Sequence, residues 1–179
     1  MFGNNETIDS IKVISAFPGT GKSWWYEHYK HELKVYDSDS SKFSWIEPGV
    51  RNPEFPNNYI KHIKEIYDEA DIIFVSSHKA VRDALNENGI TFYGMFPTIG
   101  DKDIYLERYK NRGSSEEFIS MMDKKYESFI KELNKDSIEL KYMIPIVMQG
   151  DVYIDDYCIY LDHGPIKVNW IGGPIEVIE

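Results

Sequence analysis

The chain has 179 residues, 42% of them hydrophobic, 28% charged and 15% aromatic, which suits one globular domain with a sizeable core and excludes global disorder. Its 20 Lys and Arg stand against 30 Asp and Glu, a net charge of −10, so duplex nucleic acid is not an expected partner unless a local basic groove overrides the repulsion. No apolar run approaches the roughly 18 residues of a membrane span. The opening residues MFGNNETIDS have neither the basic segment nor the apolar stretch of a signal peptide, and Cys158 is the single cysteine. The expectation is a cytoplasmic protein with no membrane association and no intrachain disulfide.

Ile11 to Phe17 is a short apolar run rich in β-branched residues, the pattern of a buried strand. A Gly/Pro turn follows from Pro18, and Gly21 to Glu32 reads as a helix. Lys34 to Tyr36 is a second strand, ending at Asp37. A long polar stretch, Ser38 to Asn58, carries no clear element. Tyr59 to Glu69 has helical spacing and Asp71 to Val75 is a third strand. Lys79 to Asn88 is a helix stopped by Gly89, and Ile90 to Phe96 is a fourth strand closed by Pro97. Lys102 to Lys110 and Glu116 to Leu133 form a helical region broken at Arg112-Gly113-Ser114-Ser115. In its second part Phe118, Met122, Tyr126 and Phe129–Ile130 form the apolar stripe. Tyr142 to Met148 is a fifth strand. Strands alternating with helices predict an α/β domain with a parallel sheet. After residue 156 the alternation stops. Tyr157 to Leu161, Ile166 to Ile171 and Ile175 to Ile178 predict a short β extension of the same domain over 157–179, with Gly172-Gly173 as a hairpin turn.

The segment Ala16-Phe17-Pro18-Gly19-Thr20-Gly21-Lys22-Ser23 carries the chemistry. It has the spacing of a Walker A phosphate loop, with Ala16 in place of the first glycine. Gly19 and Gly21 allow backbone conformations closed to other residues, so successive N–H groups can converge on phosphate oxygens. The helix that begins there adds its positive dipole end. Lys22 is placed for the β- and γ-phosphates and the Ser23 hydroxyl for Mg²⁺. Pro18 to Ser23 is thus the expected ATP-binding set.

The rest of the chain narrows the class. No guanine-reading Asn/Thr-Lys-x-Asp tetrad is present, and 179 residues leave no room for a helicase or motor apparatus. The third strand runs into Ser76-Ser77-His78, where an ATPase would carry a water-activating acid; His78 stands near the site as a minor candidate. Asp37 and Asp39 close the second strand instead. In a parallel sheet the strand C-termini share one ligand-binding edge, so both carboxylates are expected to face the γ-phosphate, one by the metal and one accepting a proton from an attacking hydroxyl.

Strand, phosphate loop, helix, strand and Asp37-Ser38-Asp39 together resemble the small P-loop kinases: nucleoside monophosphate kinases and their shikimate, gluconate and adenylyl-sulfate kinase relatives. The resemblance covers about residues 11 to 155. It implies a three-layer P-loop fold over 1–156 with strand order 2-3-1-4-5, ATP and Mg²⁺ as cofactors, Asp37 near the metal and Asp39 at the acceptor. Tyr105-Leu-Glu-Arg108-Tyr-Lys-Asn-Arg112 resembles the arginine-bearing lid of such kinases. The chain departs from them at Ala16 and in its last strands.

The chain has 16 Lys but only four Arg, so each guanidinium is a candidate for its planar, two-pronged donor geometry. Arg108 and Arg112 lie four apart, on one helix face, and are expected to meet the transferring phosphoryl. Arg82 and Arg51 are candidates for holding the acceptor. His28 and His31 lack a third metal ligand, and Trp24 and Trp25 read as packing residues. The expected activity is transfer of the γ-phosphoryl of ATP to a small molecule, foremost a (deoxy)nucleoside monophosphate. Two other readings fit the same residues. One is a hydroxyl acceptor: a sugar-acid-like metabolite, a nucleic-acid 5′-hydroxyl or a modified base. The other is a nucleotide-binding switch whose β extension docks a partner.

Overall fold

The computed structural model describes residues 11–159 and 167–168. Five strands form a parallel sheet: β1 (Val13–Ala16), β2 (Val35–Asp37), β5 (Ile72–Ser76), β6 (Phe92–Pro97) and β7 (Met143–Met148). Their spatial order is β2-β5-β1-β6-β7, which is the order 2-3-1-4-5 among the five, and every neighbouring pair runs parallel. β1 is central. Val13 pairs with Ile73 on one side and Phe92 on the other.

The pleat sends alternate residues to two separate cores. Val13, Ile73, Val75, Phe92, Phe96 and Met143 face one, with α3 (Asn57–Ile66), α4 (Lys79–Glu87), α5 (Lys102–Asn111) and α6 (Glu116–Glu139) packed over them. Ile14, Ala16, Ile72, Phe74, Met95, Ile146 and Met148 face the other, covered by α1 (Lys22–Tyr29) and α7 (Ile154–Tyr157) through Trp25, Ile154 and Tyr157. Helices on both faces of a parallel sheet make a three-layer α/β architecture. Among the described residues no helix is long and apolar enough to cross a membrane.

Four expectations need correction. The stretch 38–58 is not without elements. It holds a one-turn helix α2 (Ser41–Ser44) and an antiparallel hairpin of β3 (Trp45–Glu47) and β4 (Val50–Arg51), turned at Gly49 with φ 84°. The first helix ends at Tyr29, four residues after buried Trp25, because Glu32 and Leu33 both turn back to donate to the Tyr29 carbonyl. α6 runs on to Glu139, since Leu133 and Asp136 continue its buried stripe beyond Ile130. At the C-terminus Tyr157 closes α7 and is not in a strand. Short β8 (Cys158–Ile159) pairs antiparallel with β9 (Lys167–Val168). The strand expected over 175–178 and the Gly172-Gly173 turn lie outside the described residues.

Arg82 is also placed differently from expectation. It is 1% exposed and joins α4 to α6. Its Nε donates to Asp136 Oδ2 at 2.8 Å, its Nη2 to Glu132 Oε1 at 2.7 Å and its Nη1 to the Ser77 carbonyl. The guanidinium is committed to the protein and does not line the cavity at the sheet edge. Removing one partner of such a pair leaves a buried charge uncompensated. Asp136→Ala is therefore expected to cost about 3–5 kcal/mol in urea unfolding, whereas Glu132→Ala, at the exposed end, costs about 1 kcal/mol or less. Equal, small losses for both would show that Arg82 is not held as described.

Candidate functional site

β1, β2 and β5 end side by side at Ala16, Asp37 and Ser76. Their following segments bring together the residues that the sequence singles out. The segment after β1 turns sharply. Gly19 has φ 86° and Gly21, immediately before α1, has φ 98°, both in the region that favours glycine. The space around them is closed as well. A Cβ on Gly19 would meet Tyr109 Cε1 at 2.9 Å, and one on Gly21 would meet Tyr153 Cδ1 at 3.1 Å.

Six successive carbonyls of this loop have protein donors. Ala16 O accepts from Lys22 Nζ at 2.7 Å. Phe17 O accepts from Thr20 Oγ1 at 2.8 Å, Pro18 O from the Tyr109 hydroxyl at 2.8 Å and Gly19 O from Arg108 Nη1 at 3.0 Å. Thr20 O accepts from Ile154 N and Gly21 O from Trp25 N, both at 2.9 Å. With the carbonyls tied on the protein side, the amides of Gly19 and Gly21 have no acceptor among the described residues. This is the backbone arrangement of an anion-binding nest at a helix N-terminus.

Two cavities flank the loop. The larger, 780 Å³, is walled by Lys22, Ser23, Asp37, Asp39, the hairpin residues Trp45 and Arg51, and Ser76 to Lys79. The smaller, 600 Å³, lies on the other side, among Pro18 to Trp24, Arg108, Asn111, Arg112 and Tyr153. Pro18, Lys22 and Ser23 border both.

Electrostatics tie these groups together. Burial pulls the Lys22 ammonium down to about 8, opposed by Asp37 and more weakly by Asp39, while Arg112 adds to the lowering. Burial pushes the Asp37 carboxyl up, Lys22 opposes and Asp39 adds. Asp37 and the Ser23 hydroxyl have no side-chain hydrogen bond among the described residues. Asp39 does: it accepts from Ser41 N at 2.9 Å and Ser41 Oγ at 2.7 Å. Burial, and then Arg51, Arg82 and Lys22, lower the His78 imidazole from its usual value, which favours its neutral form.

The two arginines of α5 and its end, Arg108 and Arg112, have different placements. Arg108 is 9% exposed. Besides Gly19 O it donates to Asp151 Oδ1 at 2.6 Å and Val152 O at 2.8 Å, and it lies between the Tyr105 and Tyr153 rings. It is a strut for the loop, not a free cation as expected. Arg112 is exposed, lies over the Tyr109 and Phe118 rings and donates to Ser114 Oγ at 2.7 Å. Arg51 lines the larger cavity with its guanidinium 4.2 Å from the centre of the Trp45 ring. Trp25 is fully buried, as a packing residue should be, whereas Trp24 is half exposed, stacks on His28 and borders the smaller cavity. No group of three or more His, Cys, Asp or Glu is arranged for a metal among the described residues.

Sequence reasoning missed Tyr109, Tyr153, Ile154 and Trp45. The four-residue spacing of Tyr105 and Tyr109 shows a shared helix face; nothing local marks the other three. The chain matches no protein-family model, and no curated protein matches it.

The arrangement suits a polyphosphate held by backbone amides and one lysine. Because the folded Lys22 value lies below the unfolded one, the cost of its buried charge is present below pH 8 and relieved as pH rises toward the ordinary lysine value. A bound polyphosphate favours the charged form. ATP or pyrophosphate affinity is therefore expected to fall as pH rises through about 8, with proton uptake on binding near pH 8.5 in calorimetry across buffers of different ionisation heat. Constant affinity and no proton uptake would place Lys22 outside the anion site.

Proposed function

We propose that this protein is a P-loop phosphotransferase that moves the γ-phosphoryl of ATP to a small acceptor in an Mg²⁺-dependent reaction. The observation that carries the reading is the loop between two cavities. Its glycine amides are free while its carbonyls are tied back, and Lys22 and Ser23 border both spaces. A nucleotide in the smaller cavity would present its terminal phosphoryl over Lys22, toward the larger one.

The groups present fit these partners. Ser23 and Asp37 offer oxygen donors with no competing hydrogen bond among the described residues. Mg²⁺ takes such donors together with nucleotide phosphates and water, without a dedicated protein cage. When bound, it would offset charge on the phosphoryl oxygens. Lys22 would leave the Ala16 carbonyl for the β- and γ-phosphates. Asp39, fixed in orientation by Ser41, keeps unused lone pairs for an acceptor hydroxyl. Arg112, on the rim of the smaller cavity, is the mobile cation suited to charge that develops on the phosphoryl group. Arg108 would act indirectly, by fixing Gly19.

Release of ADP from ATP and Mg²⁺, measured against a panel of acceptors, tests the reading. Lys22→Ala is expected to abolish acceptor-stimulated release with an unchanged circular dichroism spectrum; wild-type turnover in that variant would remove the assignment. Arg112→Ala is expected to lower kcat about 10²-fold, as loss of one transition-state donor does, with little change in ATP affinity. Arg108→Ala should instead weaken ATP binding and lower the unfolding midpoint. Identical behaviour of the two variants would refute this division of roles.

A further inference from the structure

The larger cavity is equipped for a particular kind of acceptor. Its cations are mostly committed elsewhere. Lys22 belongs to the loop. Lys79 is held by Asp83 at 2.7 Å and by Asp136 at 3.3 Å. Arg82 is buried behind the wall in its own ion pairs, and burial disfavours the charged form of the His78 imidazole. That leaves Arg51, whose guanidinium lies over the Trp45 ring, 4.2 Å from its centre. Two carboxylates, Asp37 and Asp39, share the same wall. A phosphate monoester carries about two negative charges near neutral pH, and binding one normally takes several converging charged donors. Here it would meet two like charges and, besides Lys22 of the loop and the carboxylate-paired Lys79, one guanidinium.

The wall also carries a flat surface. Trp45 opens β3 and pairs across the hairpin with Arg51 of β4. Trp45 stays 40% exposed at the cavity edge, with the guanidinium stacked on it. An indole capped by a guanidinium forms a planar stack that a further π-system extends on either side. The remaining lining is hydroxyl-rich, including Ser40, Ser41, Ser44, Ser76 and Ser77, which suits neutral polar groups better than charged ones.

We infer that the acceptor is an uncharged compound that joins a planar ring to a hydroxyl group, of which a free nucleoside is the simplest example, and that the ring stacks on the Trp45–Arg51 pair while the hydroxyl meets Asp39. This rests on the phosphotransferase reading above. The hydroxyl oxygen attacks the γ-phosphorus. A new P–O bond forms as the bridging P–O bond to the β-phosphate breaks, the hydroxyl proton passes to the Asp39 carboxylate and then to water, and the products are a phosphate monoester and ADP. No oxidation or reduction is involved.

The test compares three acceptor classes in the ADP-release assay with the full chain: nucleosides and deoxynucleosides, their 5′-monophosphates, and ring-free polyols and sugar acids. Nucleosides are expected to stimulate release, with the nucleoside monophosphate identified by mass. Trp45→Ala should raise the acceptor KM about tenfold, the size expected for loss of one stacking partner, and lower kcat far less; Trp45→Phe should restore most of it. Stimulation by monophosphates alone, equal stimulation by ring-free acceptors, or an unchanged KM in Trp45→Ala would overturn the inference and leave the phosphotransferase reading standing. ATP binding without turnover for any acceptor would also overturn it. Absence of ATP binding in calorimetry would defeat the phosphotransferase reading itself.

Discussion

The structure depends on one constraint: the backbone from Ala16 to Gly21 must keep its carbonyls turned toward the protein. Each of the six has its own donor, and those donors come from far apart in the chain. Tyr109 and Arg108 lie on α5, Ile154 begins α7, and Lys22, Thr20 and Trp25 are local. A peptide unit that commits its carbonyl one way has an amide that points roughly the other. The amides of Gly19 and Gly21 are thereby left without a protein acceptor among the described residues, with no ligand needed to organise them, and such preorganisation makes an anion cradle effective. Glycine at 19 and 21 follows from the same constraint twice over. The dihedral angles require it, and the Tyr109 and Tyr153 rings occupy the volume of a side chain.

Net charge alone would argue against a polyanion at this site. The chain carries −10, yet the loop has Lys22 at both cavities and Arg112 on the rim of the smaller one, with Asp37 and Asp39 only on the side of the larger. The local balance matters more than the total because solvent screens exposed charges over about 8–10 Å, whereas Lys22 is desolvated. Its depressed value records that it lacks a full counter-charge. Asp37 offsets part of the burial cost and no more. A group in that state gains from a phosphate what it has lost in hydration, so the desolvation of Lys22 and the free amides of the loop point to the same class of ligand.

Much of the frame was legible because it rests on local patterns. Runs such as DIIFV and IKVISAF are apolar on both faces, as strands buried between two helical layers must be, and the glycine spacing at 19 and 21 marks the loop directly. The hairpin at 45–51 was hidden for the opposite reason. Trp45, Ile46, Val50 and Arg51 are all exposed, so no in-and-out alternation betrays them. Scarcity singled out the arginines but could not say what they hold. The partner of Arg82 is Asp136, 54 positions away, and that of Arg108 is the Gly19 carbonyl, 89 positions away. Neither pairing leaves a local signature, since each is set by which helices the sheet order brings into contact.

The two cavities have a consequence for chemistry that neither has alone. Pro18, Lys22 and Ser23 stand in the walls of both. In the proposed phosphoryl transfer, a donor on one side and an acceptor on the other would meet beside the lysine and the hydroxyl. Orientation of this kind lowers a bimolecular barrier by fixing the approach before reaction. Arg108 contributes from behind, because a shift of Gly19 would move the border and both partners with it. Tyr109 and Arg108 of α5 thus fix Pro18 and Gly19, the stretch of loop beside the wall that the two cavities share.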